Sequence, residues 1–393
     1  MEKTKNFEFP IVAVNQGDYE NIQKWISVHK CMLMKKQVYI YGAGIRGNLF
    51  LKILNSNEVK IAGFIDGSKE KQGGFVDDLP IVSLQALNKA ENVFILVSPE
   101  NNKEILQLLE DNNYKKDKDY DVIESLIYPD YIKEYKRVEG IEYLFFGDCF
   151  FPDLDINDLG QMSLGDMVKE KLGTSKTKVL TLHGMCTPSF YHIMKEQLEL
   201  GVKPKVVSFI INVPFCGGIQ TKLPQSQHAL LLEELAKIHR TEDFSSYVEL
   251  AKERAKNINQ KSFSTQSRDK DPLLVEKMLT KMRYMYPYDE KNENIVYAIK
   301  LIHLLRENNI KAKPFIPALH YKAGQEFWGE AFTKAYDAIC DGIKGTLSAN
   351  ETEILDMSYL LDESMFFGNH MTKFPNREGK DKVIDTLISY VLE

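Results

Sequence analysis

The sequence predicts an α/β protein with two domains, each built around a parallel sheet. Apolar, β-branched runs alternate with amphipathic stretches along most of the 393 residues, and this alternation produces parallel strands joined by right-handed helical crossovers. Two of the apolar runs lead directly into glycine-containing turns, at residues 42–47 and 147–149. Because parallel sheets bind ligands at the carboxyl ends of their strands, each turn marks a candidate site.

The first domain is predicted over residues 36–130, after a helical segment within residues 1–35. Its strands are recognised by short buried-type runs, and its helices by apolar periodicity and capping residues. The predicted strands are 37–41, 60–65, 79–81 and 93–97, and the predicted helices are 19–34, 48–55, 83–88 and 102–111. A charged stretch within residues 129–140 indicates the domain boundary.

The second domain is predicted over residues 141–393, again with strands and helices in alternation. A helical insertion is expected at about residues 217–290, where apolar periodicity is helical and strand character is weak. The predicted strands are 143–146, 179–182, 206–211, 312–316 and 354–357, and the predicted helices include 189–200, 293–308 and 381–392.

Composition excludes several classes of function. A net charge of −6 with 27% charged residues gives no basic field for nucleic acid. The longest apolar run, residues 206–215, is too short for a membrane span, and the N-terminus does not resemble a secretory leader. We therefore expect a cytoplasmic protein without a nucleic-acid partner or a membrane span, and leave oligomerisation open.

The five cysteines are scattered along the chain at positions 31, 149, 186, 216 and 340. Neither a disulfide framework nor a metal-binding spacing is present among them. Cys149, Cys186, Cys216 and His183 all follow predicted strands and would lie near one another, but irregular spacing of this kind rarely indicates a metal site. We expect no metal.

The first glycine turn has the spacing of a phosphate-binding loop. Gly42 permits a tight turn, Gly44 lets the backbone approach a pyrophosphate, and Gly47 lets the helix pack closely on the strand. Asp66 ends the next strand, where a carboxylate accepts hydrogen bonds from ribose hydroxyls. The motif predicts a Rossmann-like fold and leaves the ligand open between a nucleotide, a nucleotide-sugar and NAD(P), or no ligand at all.

Residues 36–125 resemble the small Rossmann modules of bacterial surface-glycan enzymes. The resemblance rests on the segments 61–67 and 79–81. In the sugar acetyltransferases of that group the module binds a nucleotide-sugar, so the resemblance implies a role in glycan metabolism.

Residues 143–393 resemble the SGNH/GDSL hydrolase superfamily, a three-layer α/β/α fold. Gly147-Asp148-Cys149 follows an apolar strand, as the family's Gly-Asp-Ser block does, with cysteine in the position of the nucleophilic serine. The resemblance implies that Cys149 attacks an acyl carbonyl. A thiolate is the stronger nucleophile, and a neighbouring imidazolium lowers the pKa of a thiol.

Three later blocks of the family occur in the expected order. They imply that Gly184 and the Asn212 side chain donate to an oxyanion and that His370 transfers the proton. The family's aspartate, three residues before the histidine, is replaced by Phe367. Asp362 or Asn369 would have to orient the imidazole instead.

Two functions from different classes follow. The first is an esterase or O-acyltransferase that uses a Cys–His pair on a glycan or its nucleotide-linked precursor, with an acyl donor and no required cofactor. The second is an inactive binding or scaffold protein that has lost the triad aspartate. In such a protein Cys149 would be a buried structural thiol. Nicotinamide-dependent redox chemistry at the first glycine turn is a third alternative.

Overall fold

The computed structural model describes residues 5–7, 13–87, 92–217, 228–238, 241–258, 272–367 and 374–393. The chain divides into two compact units, Met1–Ile127 and Tyr128–Glu393. Each unit contains a parallel sheet with helices between its strands. The predicted α/β class is confirmed.

The first unit contains a six-stranded sheet in the order β4-β5-β3-β2-β6-β7, in which only the β4–β5 pair is antiparallel. When its five parallel strands are numbered along the chain, they lie side by side in the order 3-2-1-4-5. The strand order therefore reverses between β2 and β6, which is where such sheets bind ligands. The strands of this sheet are β2 (Gln37–Tyr41), β3 (Ile61–Ile65), β4 (Phe75–Val76), β5 (Leu79–Val82), β6 (Val93–Val97) and β7 (Tyr120–Val122). The unit also contains the short strand β1 (Ala13–Asn15), which lies outside this sheet.

The helices of the first unit are α1 (Gln16–Leu33), α2 (Ile45–Ser56) and α3 (Lys103–Asp111). The interior strand β6 is buried at all five positions, because helices cover both faces of a parallel sheet. The prediction of a helix over residues 83–88 is wrong for the described residues 83–87. A single 3₁₀ turn at Leu84–Ala86 occupies that segment, and the Ser83 hydroxyl accepts a hydrogen bond from the Ala86 amide.

The second unit contains a five-stranded, fully parallel sheet in the order β10-β8-β11-β12-β13. Numbered along the chain, these strands lie in the order 2-1-3-4-5, so the strand order reverses between β8 and β11. The strands of the unit are β8 (Tyr143–Gly147), β9 (Asp153–Asp155), β10 (Thr177–Thr181), β11 (Val206–Ile210), β12 (Lys311–Ile316) and β13 (Leu355–Asp356).

The helices in this part of the chain flank the sheet or lie in the region predicted as an insertion. They are α4 (Ile127–Lys136), α5 (Leu164–Leu172), α6 (Thr187–Glu199), α7 (Ala229–Ile238), α8 (Glu242–Ile258), α9 (Pro272–Tyr284), α10 (Glu293–Glu307), α11 (Tyr321–Trp328), α12 (Glu330–Ser348) and α13 (Arg377–Leu392).

The charged stretch at the predicted boundary forms the helix α4. Tyr131 and Tyr135 are both buried, and residues four apart share one face of a helix. Burial of that tyrosine face, rather than the surrounding charge, determines the local structure. The units meet in sequence at residues 127 and 128, just before the predicted boundary.

Among the described helices, none combines the length and the apolar character that crossing a bilayer requires.

Lys178, the second residue of β10, is fully buried. The Lys178 ammonium donates to the carbonyl oxygens of Tyr135, at 2.7 Å, and Arg137, at 2.5 Å, and to the side-chain oxygen of Gln197. These acceptors satisfy its hydrogen bonds, but burial still lowers its pKa from 10.5 to about 7.

This lysine predicts a measurable dependence of stability on pH. Between pH 7 and 10.5 the unfolded chain holds the Lys178 proton more tightly than the folded chain does, so its contribution to stability rises with pH across that window. We expect Lys178→Met to abolish that rise, measured by urea unfolding at several pH values. The exposed Lys176→Met is the matched control, and an unchanged pH slope in Lys178→Met would contradict the prediction.

Candidate active site

Strand register brings three polar side chains to one level at the carboxyl edge of the second sheet. Phe146 of β8 pairs with Leu180 of β10 and with Phe209 of β11. Three residues beyond each of these positions the chain reaches Cys149, His183 and Asn212. This level lies at the edge of the sheet where the strand order reverses, which is where doubly wound sheets bind ligands.

The Gly147-Asp148 pair builds the turn that carries the thiol. A Cβ at Gly147 would lie 2.4 Å from the Phe151 ring, so only glycine fits there. The fully buried Asp148 carboxylate accepts from the Phe150 amide at 3.0 Å and from Asn212 Nδ2 at 2.5 Å. Asp148 therefore joins the ends of β8 and β11, and its pKa is raised by burial.

The same turn brings an acid back to the thiol. The Cys149 carbonyl accepts a hydrogen bond from the Asp153 amide, four residues later, at 3.2 Å. The Cys149 sulfur, an Asp153 carboxylate oxygen and a His183 ring nitrogen consequently lie within 4.8 Å of one another. The fold thus forms a Cys–Asp–His cluster that none of the sequence motifs contains in full.

The Cys149 thiol is protonated at neutral pH. Burial raises its pKa well above the ordinary value of 9.0, and the charges of Asp148 and Asp153 raise it further. The Cys149–His370 pair predicted from the sequence stays a prediction, because His370 lies outside the described residues. A reaction at Cys149 requires a base that takes the proton as the sulfur attacks.

His183 is the described histidine nearest that proton. Its side chain is 70% exposed, and its Nδ1 lies 3.9 Å from an Asp153 carboxylate oxygen, whose side chain is only 13% exposed. The interaction with Asp153 raises the pKa of His183 above its ordinary value of 6.5. A more basic imidazole is a better proton acceptor once it is neutral.

A second histidine fixes the loop that carries the first. His228 Nε2 lies 2.6 Å from the His183 carbonyl oxygen, and Nδ1 lies 3.3 Å from the Tyr128 hydroxyl. Burial lowers the pKa of His228 to about 4, so the ring is neutral and donates through Nε2 to that carbonyl. His228 is a positioning residue, and no motif in the sequence indicated it.

The other predicted site residues have different outcomes. Gly184 lies in the same loop with φ of +74°, a conformation that favours glycine. The Asn212 side chain uses one N–H for Asp148, which leaves its second N–H to be considered as an oxyanion donor. His370 and Asn369 lie outside the described residues, so the role predicted for His370 stays a prediction.

The glycine turn of the first unit has the tight geometry that its spacing predicts. Gly42 has φ of +102°, and a Cβ at Gly47 would lie 1.9 Å from the Gly42 carbonyl oxygen. Gly44 is the N-cap of α2, with open space where its side chain would be. The first and third glycines are thus required by the turn itself, and the second leaves the helix terminus accessible.

The Asp66 carboxylate is already engaged by the protein. One oxygen accepts from the Ala43 amide at 2.9 Å and from the Lys71 ammonium at 3.0 Å, and the other accepts from the Ser68 amide at 2.9 Å. Asp66 therefore fastens the glycine turn, and Lys71 places a positive charge beside it. The predicted contact of Asp66 with a ribose stays a prediction.

Comparisons with known proteins add the following similarities. Residues 34–120 match the family model described as C2185-like, N-terminal. No curated protein sequence matches this chain.

Three solved structures illustrate what the chain is similar to in fold. A GDSL-like lipase from Bacteroides thetaiotaomicron is 11% identical, over 68% of this chain and 97% of that chain, with a TM-score of 0.37. An acetylxylan esterase from Geobacillus stearothermophilus is 11% identical over 65% and 96%, with a TM-score of 0.34. A putative acylhydrolase from Bacteroides fragilis is 11% identical over 67% and 94%, with a TM-score of 0.31. Likenesses this distant assign no activity to the chain.

Proposed function

We propose that the second unit is an acyl-transfer enzyme, an esterase or O-acyltransferase, with Cys149 as its nucleophile. The observation that carries the proposal is the cluster of Cys149, Asp153 and His183 at the carboxyl edge of the sheet, beside the point where the strand order reverses. A thiol, an imidazole and a carboxylate in one accessible cluster supply a nucleophile, a base and a group that raises the basicity of the base.

The proposed reaction begins with a neutral thiol. Cys149 Sγ attacks the acyl carbonyl while His183 accepts the thiol proton, and the carbonyl oxygen becomes an oxyanion. The ester C–O bond then breaks, and the leaving alcohol takes the proton from His183. Water in an esterase, or a hydroxyl acceptor in a transferase, then attacks the resulting thioester. The C–S bond breaks, the acyl group leaves on the acceptor, and the Cys149 thiol is regenerated.

Three N–H groups are candidates for the oxyanion hole. They are the backbone amides of Gly184 and Cys149 and the second side-chain N–H of Asn212. All three lie at the same edge of the sheet, and His228 holds the loop that contains Gly184. Fixed donors of this kind stabilise the charge that develops on the carbonyl oxygen.

The substrate proposed is a glycan or a nucleotide-linked precursor of one. Support comes from the sequence resemblance of the first unit to modules of surface-glycan enzymes. The first unit is proposed to bind a nucleotide or nucleotide-sugar phosphate at the Gly42–Gly47 turn, where the start of α2 and the Lys71 ammonium both carry positive charge.

The proposal is tested with p-nitrophenyl acetate as an activated acyl donor. We expect the full-length protein to hydrolyse it with saturation kinetics and Cys149→Ala to lose that activity, down to the rate of the uncatalysed reaction. Cys31→Ser is the matched control, because Cys31 is an exposed thiol in the first unit. Equal rates for wild type and Cys149→Ala would contradict the proposal.

A binding or scaffold function is the second candidate, favoured by the raised pKa of the Cys149 thiol. A protein of this class would release no p-nitrophenol above the background rate. It would still show an increased thermal unfolding midpoint with one class of ligand among nucleotide-sugars, NAD and NADP. The two measurements together separate an inactive binding protein from an enzyme.

A further inference from the structure

The Cys149–Asp153–His183 cluster has a geometry that proton relay alone does not require. In a relay the two ring nitrogens of a histidine face different partners, so the nucleophile and the carboxylate lie on opposite sides of the ring. Here one sulfur, one carboxylate oxygen and one ring nitrogen all lie within 4.8 Å of one another. The three donor atoms are therefore close enough together to be considered as ligands of one ion.

The donor set selects the class of ligand. Thiolate, imidazole and carboxylate together match the preferences of Zn²⁺, whereas Mg²⁺ and Ca²⁺ prefer oxygen donors. Three protein ligands with a fourth position open to solvent are the usual arrangement of an accessible zinc site. His183 is mostly exposed and Cys149 is half-buried, so an ion can reach the cluster from solvent.

The distances allow closure around an ion by small movements. Zinc lies about 2.3 Å from sulfur and roughly 2.0–2.2 Å from nitrogen or oxygen, so its ligands are approximately 3.3–3.7 Å apart in a tetrahedron. The observed separations, up to 4.8 Å, must shrink by about an ångström. An exposed imidazole on a loop can make such a shift by rotating its side chain.

The charges around the cluster also favour a cation. The negative charges of Asp148 and Asp153 act on the Cys149 thiol, and the positive charge of Arg283 on α9 acts in the opposite sense. A bound divalent ion compensates these two carboxylates and the thiolate that forms when the ion displaces the thiol proton.

We propose that Cys149, Asp153 and His183 form a binding site for one divalent cation of the zinc class. Binding replaces the thiol proton, which is released to solvent, with a sulfur–metal bond. An occupied site has no free Cys149 sulfur for acyl transfer, so the metal and an acyl group compete for the same atom. This inference goes beyond the proposed function, because the site can bind metal whether or not the thiol is catalytic.

Titration of the EDTA-treated full-length protein with Co²⁺ tests the site. We expect one equivalent to bind, with a sulfur-to-cobalt charge-transfer band in the near ultraviolet and release of protons. Cys149→Ser should remove the band, and Asp153→Asn and His183→Ala should each weaken binding by about tenfold or more. Cys31→Ser and His303→Ala are controls, because both replace exposed donors elsewhere in the chain.

Two outcomes would overturn the inference. One is the absence of Co²⁺ and Zn²⁺ binding in titration calorimetry, and the other is a charge-transfer band that persists in Cys149→Ser. Esterase activity in EDTA-treated protein separates this inference from the proposed function. Activity that depends on Cys149 without metal binding contradicts only the metal site, and metal binding without activity contradicts only the enzyme.

Discussion

Replacement of His183 by alanine is expected to slow acylation of Cys149 by roughly 10²–10⁴-fold, the usual contribution of a positioned general base. The reason is the state of the thiol. Because burial and two carboxylates raise the pKa of Cys149, almost none of it is thiolate at neutral pH, and attack requires a proton acceptor in the same step. The rate of p-nitrophenol release under single-turnover conditions measures this effect.

The variant His370→Ala distinguishes the two histidines that could accept the proton of Cys149. The resemblance to the SGNH/GDSL family assigns the proton transfer to His370, whereas the cluster assigns it to His183. The account predicts a large loss in His183→Ala and a smaller one in His370→Ala. The reverse pattern would show that the histidine of the family motif is the base and that His183 serves another purpose.

Replacement of Gly147 by alanine is expected to destabilise the second unit by about 1–3 kcal/mol, the range for overpacking a filled core. The added Cβ would lie 2.4 Å from the Phe151 ring and 3.1 Å from Thr181 Cγ2. Phe151 is fully buried and cannot move without displacing its neighbours. Urea unfolding followed through the fluorescence of Trp328, in the same unit, measures the loss.

Gly345→Ala is the matched control for that measurement. Gly345 lies within α12, and a Cβ there would meet nothing within 4 Å. Alanine is the better helix former, so this variant should be neutral or slightly more stable. Equal stability of Gly147→Ala and wild type would show that the Phe151 ring has room to move, and the turn would then not require glycine.

The parallel sheets could be predicted because their strands are buried on both faces and appear as short apolar runs. The runs at residues 37–41, 93–97 and 206–211 correspond closely to β2, β6 and β11. The glycine spacing at residues 42–47 also predicted a tight turn, since Gly47 contacts the Gly42 carbonyl too closely for any side chain. Local sequence determines such features, so local patterns are sufficient to find them.

The sequence placed His183 near Cys149 because both follow predicted strands, but it did not indicate Asp153 as the third member of the cluster. His183 lies 34 positions beyond Cys149, and only the pairing of Phe146 with Leu180 places the two at one level of the sheet. The four-residue separation of Cys149 and Asp153 was visible in the sequence, but their contact depends on the turn after β8. Register between distant strands is a tertiary property, and no motif in the chain encodes it.

The helix α4 shows a local structure that the sequence interpretation left out. Charged residues around Tyr131 and Tyr135 indicated a domain boundary, and the two tyrosines, four residues apart and buried, lie on one face of a helix there. A helix with one apolar face tolerates many charges on its other face.

The most direct test of the central claim is to locate the acyl group after reaction with p-nitrophenyl acetate. An acid quench during turnover preserves a thioester, and peptide mass mapping then identifies the modified residue. We expect one acetyl group on Cys149 in wild type, almost none in His183→Ala, and no accumulation on the exposed Cys31. Acetylation distributed over other residues, with Cys149 unmodified, would contradict the assignment of Cys149 as the nucleophile.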